Sequence, residues 1–202
     1  VEDAPSASPS FFPSLVPTDQ PTESKCCNLS PLGYDSFLTS IAISVSGLIL
    51  PGTPQQRALD WLTAEINFCQ CDINSCQIFE RYTLAVFYFS TGGDSWEECS
   101  MPDLSSQAAI DTANIDCKIT TTKVPPALDI GLLSNGTDAW LTPVDHCTWA
   151  GIVCRSSSLC VDRIEFEGNN VGGTLPEELK RLLEVRFLIL ERGDTSGPIP
   201  SE

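Results

Sequence analysis

The side chains of this 202-residue chain with the widest chemical reach are its ten cysteines and its single histidine, His146. Thiols can pair as disulfides, ligate zinc or act as nucleophiles, and spacing and compartment decide between these. The cluster Cys69-x-Cys71-x4-Cys76 opens with a one-residue gap, whereas zinc-ligand pairs usually leave about two to four residues between ligands. One histidine cannot supply a two-histidine metal site, and it leaves one imidazole for acid-base work. No Gly-x-Ser-x-Gly elbow is present, and no glycine-rich phosphate loop precedes a helix. The paired carboxylates Glu97-Glu98 and Glu177-Glu178 are chain neighbours and are not held by separate elements. The expectation is a non-catalytic chain with no cofactor and no metal, in which His146 is an ordinary polar surface residue. An even count of ten cysteines in so short a chain points to disulfides and an oxidising compartment: a secreted protein, or the extracellular face of a cell.

Two N-glycosylation triplets agree with that setting, Asn28-Leu29-Ser30 and Asn135-Gly136-Thr137. The net charge of -16, from 27 acidic against 11 basic residues, repels phosphate backbones and anionic lipid headgroups, so nucleic acid is excluded as a partner. The acidity is read as a solubility device. The longest apolar stretch, 41–50, falls well short of the roughly 20 residues that span a bilayer, so no membrane insertion is expected within the chain. The sequence opens at Val1 without a basic n-region, which places any signal peptide or anchor outside it.

These residues must be positioned by an unevenly patterned chain. Prolines at 5, 9, 13, 17 and 21, each followed by Ser or Thr, make residues 1–25 a linker or stalk of extended polyproline character. Phe11, Phe12, Leu15 and Val16 within it are apolar enough to dock on the globular part or a partner. The stretch 36–50 carries Phe37, Leu38, Ile41, Val45 and Leu48 at spacings that suit either a helix or a strand. Thr53-Pro54 is a helix-start pair, and Ala58, Leu59, Leu62 and Ile66 then share one face, which predicts a helix over 54–67. Ile78, Phe79, Tyr82, Ala85, Val86 and Phe89 mark a second amphipathic helix ending before Gly92-Gly93, packed on the first. From 94 to 145 the pattern loosens into loop, pinned by disulfides.

The most specific signal lies at the C-terminal end. A shift of 24 positions superimposes Val161 on Val185, Ile164 on Leu188, Phe166 on Leu190, Gly173 on Gly197, Leu175 on Ile199 and Pro176 on Pro200. That period falls within the leucine-rich repeat range, in which each repeat lays one short parallel strand and neighbours bury each other's apolar stripe. Asn169-Asn170-Val171-Gly172-Gly173-Thr174-Leu175-Pro176 and Ser196-Gly197-Pro198-Ile199-Pro200 resemble the plant-type leucine-rich repeat. Cys147-Thr148-Trp149-Ala150-Gly151-Ile152-Val153-Cys154 is similar to the N-terminal cap of such ectodomains. The run 84–89 followed by Ser90-Thr91-Gly92-Gly93-Asp94-Ser95-Trp96 resembles the cap helix and glycine-aspartate-tryptophan turn of diatom-type relatives. Gly193 and Thr195 depart from the repeat pattern at the positions matching Asn169 and Val171.

The resemblance implies an α/β fold: a helical, disulfide-bonded cap over 26–160 leading into a leucine-rich repeat solenoid with short parallel strands over 161–202. It implies a Cys147–Cys154 disulfide, a buried Trp149, a structural Trp96, and Asn169 in an internal asparagine ladder. A Cys99–Cys117 pair is a second expectation. It also implies that ligands meet the concave side, where Arg163, Glu165 and Glu167 of the first repeat and Phe187, Ile189 and Glu191 of the second project. The pattern stops at Glu202 after about two repeats, while solenoids usually need about three, so further repeats or a covering partner are expected. The function implied is extracellular recognition of a protein or glycan ligand. The alternatives are a self-associating structural glycoprotein of a wall, matrix or extracellular assembly, and an inhibitor or accessory subunit of a secreted enzyme.

Overall fold

A computed structural model of the chain describes residues 50–64, 76–119 and 135–200. The stalk, the 36–50 segment, Asn28 and the cysteines at 26, 27, 69 and 71 lie outside these residues, save for Leu50. The described part is a mixed α/β fold with short strands in two small sheets.

Helix α1 spans Pro54–Ala64. It starts where the sequence places it because the Thr53 hydroxyl accepts from the Gln56 amide and proline is preset for the first turn. The predicted continuation to Asn67 falls outside the described residues. Ala58 and Trp61 form its buried stripe, and the Trp61 indole donates to the Leu141 carbonyl. Helix α2, Cys76–Ser90, is buried at every position from Glu80 to Tyr88, as befits a helix with neighbours on all sides. It packs on α1 and closes into a one-turn 3-10 segment, Gly93–Ser95.

The region read as loop contains a further helix, α3, Gln107–Asp116. Ser106 caps it, accepting from the Ala109 amide. Ile110 is its one buried residue, so no apolar stripe advertised it. The expected Cys99–Cys117 pair ties its C-terminal end back to the loop before it.

Strand β1, Ile152–Cys154, pairs antiparallel with β2, Val161–Glu167, and β2 pairs parallel with β4, Phe187–Glu191, giving the order β1-β2-β4. The β2–β4 register sets Ile164 against Leu188 and Phe166 against Leu190, the same 24-residue offset that the sequence displays. The second sheet, β3 (Gly172–Thr174) with β5 (Asp194–Ser196), is also parallel, but there Gly173 lies opposite Thr195 and not Gly197. The link from β4 to β5 is two residues, against four from β2 to β3, and this slips the second ladder by two. Gly193 sits in the shorter link because a Cβ there would strike the Val171 carbonyl.

One core runs through helices and sheet without a break at 160. Phe87 of α2 lies against Trp96, Trp140 and Phe166, and Trp140 in turn meets Trp149. Arg81, fully buried, donates to the Thr142 and Val144 carbonyls and lies over the Trp61 and Trp149 rings. Those contacts replace the water that a buried guanidinium loses. Cys76–Cys160 joins the start of α2 to the residue before β2, and Cys147–Cys154 closes the turn into β1.

Burial pushes the Tyr82 and Tyr88 phenols above their ordinary ionisation near pH 10, with Glu178 adding to the effect at Tyr82. A raised folded value means that this contribution to stability is complete below about pH 10 and is lost as pH rises further. In an alkaline absorbance titration, Tyr82 and Tyr88 should therefore ionise only together with loss of helical circular dichroism. Ionisation of all three tyrosines near pH 10 with the fold intact would contradict their burial.

Candidate interaction face

Side chains alternate across a strand, so residues paired in a parallel ladder share a face. The ladder aligns Arg163 with Phe187, Glu165 with Ile189 and Glu167 with Glu191, which brings the six candidate residues together as two columns of three. The intervening Ile164 and Phe166 point the other way, into the aromatic core.

The six differ in access. Phe187 and Glu191 are exposed, and Glu167 and Ile189 are half-buried. Arg163 and Glu165 retain only 3% and 1% exposure, less than a projecting pair would show. Their charges face each other, with Arg163 Nη1 3.8 Å from Glu165 Oε2. The Arg163 guanidinium also lies 5.2 Å from the centroid of the Phe187 ring, and Arg186 lies 5.6 Å from the same centroid. Phe187 is thus held between two cations. Glu167 and Glu191 repel each other across the pair, and Arg192, 3.4 Å from Glu167, offsets this.

A charge network beneath this face gave no signal in the sequence. Asp162, fully buried, receives Arg186 Nε at 2.6 Å and Arg155 Nη2 at 3.3 Å, and Arg155 Nε reaches Glu184 at 3.0 Å. The Asp162 contact raises the affinity of Arg186 for its proton. These bonds span from the β1–β2 turn to the residues before β4 and so fix the β4 register. Asp162 and Arg186 lie 24 residues apart in the chain, beyond the range of local patterns.

Elsewhere the sequence expectations divide. Trp96 and Trp149 are buried in the core, and Asn135 is exposed. Asn169 is buried, but its side chain accepts from the Glu98 amide at 2.7 Å and donates to the Glu98 carbonyl at 3.1 Å. It therefore joins the loop after the 3-10 turn to the residues that follow β2. His146, expected on the surface, is fully buried. Its Nε2 lies 3.3 Å from Glu80 Oε2, which also accepts from the Val161 amide. Glu178 of the adjacent acidic pair is buried too, accepting from Gln55.

Two trios bring metal-ligating atoms within 4.8 Å of one another: His146 with Cys147 and Cys154, and Glu80 with Cys76 and Cys160. In each trio the two sulfurs are bonded to each other, so neither offers a thiolate. Among the described residues no helix is long and apolar enough to cross a membrane.

No protein-family model matches the chain, and no solved structure matches it. Two curated proteins of Arabidopsis thaliana share a stretch with it. Protein MALE DISCOVERER 1 is 42% identical over 59 residues, and Protein MALE DISCOVERER 2 is 38% identical over 58 residues. Each match covers 29% of this chain and 8% of the relative, so the chain spans less than a tenth of the length of these relatives.

Proposed function

We propose that this chain is a non-catalytic extracellular recognition module of the leucine-rich repeat type, binding a protein or glycan on the β2–β4 face. The observation that carries this reading is the parallel β2–β4 pair. Its 24-residue offset equals the sequence period, and it gathers the six candidate residues on one face. A buried ion pair roofed by an aromatic ring between two guanidiniums is a rigid base for such a surface, and arginine and aromatic side chains dominate binding energy at interfaces. The disulfides fit a secreted or cell-surface setting. Their sulfurs, and the buried His146, are committed to structure, which favours recognition over catalysis. The stretch shared with the two MALE DISCOVERER proteins is in keeping with this reading.

The test is affinity capture from the secreted fraction of the producing cells, with the immobilised wild-type chain compared against a Phe187→Glu variant. A species retained by the wild type and lost by the variant is the expected result. Equal recovery on both would remove the β2–β4 face as the binding surface. Turnover of a captured molecule would move the chain to the enzymes.

A further inference from the structure

The two edges of the three-stranded sheet differ. The β4 edge has no strand beyond it among the described residues. The outer edge of β1 is lined by the segment that contains the second glycosylation triplet. Gly136 donates to the Ile152 carbonyl at 3.0 Å, and the Thr137 and Asp138 amides both donate to the Thr148 carbonyl. Ala150 returns a bond to the Asp138 carbonyl at 2.8 Å. The Ile152 amide is taken by the Trp149 carbonyl, so both outward backbone groups of Ile152 are already used.

This pairing fixes which way the triplet faces. Gly136 lies flat against the cap turn, where a Cβ would collide with the Trp149 carbonyl oxygen and the Thr148 backbone. The middle position is therefore held to glycine by packing. Asn135 and Thr137, the two positions that an oligosaccharyl transferase reads, are both exposed. Asn135 thus stands at the surface beside this pairing. The graft point stands beside β1, on the side away from β2.

We propose that Asn135 is an N-glycosylation site, its glycan standing beside the segment that lines the outer edge of β1. Transfer forms the bond from Asn135 Nδ2 to the anomeric carbon of a lipid-linked oligosaccharide, with release of the lipid pyrophosphate and the amide proton.

The inference rests on passage through a secretory pathway, so the test carries its own control. The full chain is expressed in secreting eukaryotic cells, and the peptide holding Asn135 is mapped by mass spectrometry before and after enzymatic release of N-glycans. The Cys147–Cys154 linkage is read from the same digest. Conversion of Asn135 to Asp on release, in most of the material, is the expected result. An unmodified Asn135 in protein that carries the disulfide overturns the site and leaves the extracellular reading intact; failure of both the disulfide and the glycan overturns both. Thr137→Ala breaks the triplet but keeps the asparagine, so it should lose the modification and melt near the wild-type temperature; a modification that persists in Thr137→Ala would overturn the site.

Discussion

Replacing Cys76 and Cys160 by serine should lower stability by about 4 kcal/mol, against about 2.5 kcal/mol for the same treatment of Cys147 and Cys154. The bridges span 84 and 7 residues, and chain-entropy cost grows with the logarithm of the loop closed. The estimate for the longer loop is trimmed slightly because the other two described bridges lie inside it. For a chain of this size the difference is roughly 8 to 16 °C of melting temperature for the long bridge and 5 to 10 °C for the short one. Contacts in the folded state point the same way. The long bridge clamps the first turn of α2 to the start of β2, where Glu80 holds both His146 and the Val161 amide. Thermal melts of the two double variants under matched oxidising conditions decide the point. Equal shifts, or a larger loss from the short bridge, would mean that local strain and not loop entropy sets the stability of this fold.

How far the fold could be read from sequence follows from the range of the interactions. The two helices were legible because capping and apolar periodicity act within a few residues: Thr53-Pro54 starts α1, and the stripe from Ile78 to Phe89 defines α2. The β2–β4 register was legible because the 24-residue shift that aligns Ile164 with Leu188 and Phe166 with Leu190 in the sequence is the offset of the ladder. The slip in the β3–β5 ladder was not, since it depends on a connection shortened by two residues and on Gly193 closing against the Val171 carbonyl. Helix α3 escaped because one buried isoleucine makes no pattern. The six candidate residues share one face of the β2–β4 ladder, but two of them, Arg163 and Glu165, are buried. Strand alternation says which way Arg163 and Glu165 point, and only the three-dimensional surroundings determine that they are buried. His146 and Glu80, 66 residues apart, illustrate the same limit.

Phe187→Glu should cost about 2 kcal/mol or more in partner binding, a loss of roughly thirtyfold, while leaving the melting temperature almost unchanged. The substituted carboxylate would sit between the Arg163 and Arg186 guanidiniums that now flank the ring, so two cations are at hand to receive it. The contact surface changes from aromatic to anionic without stranding a charge. Ile189→Glu should behave differently although it lies two residues along the same column. Its partner across the ladder is Glu165, which is buried, and a second carboxylate there meets a like charge in a site with little water to screen it. That variant should lose stability as well as binding, so it cannot report on recognition alone. Measuring affinity and melting temperature for both variants separates the two effects. If Phe187→Glu binds its captured partner as tightly as wild type, the ligand does not contact this face. If Ile189→Glu melts like wild type, then Glu165 does not confront position 189, and the β2–β4 register described here is wrong.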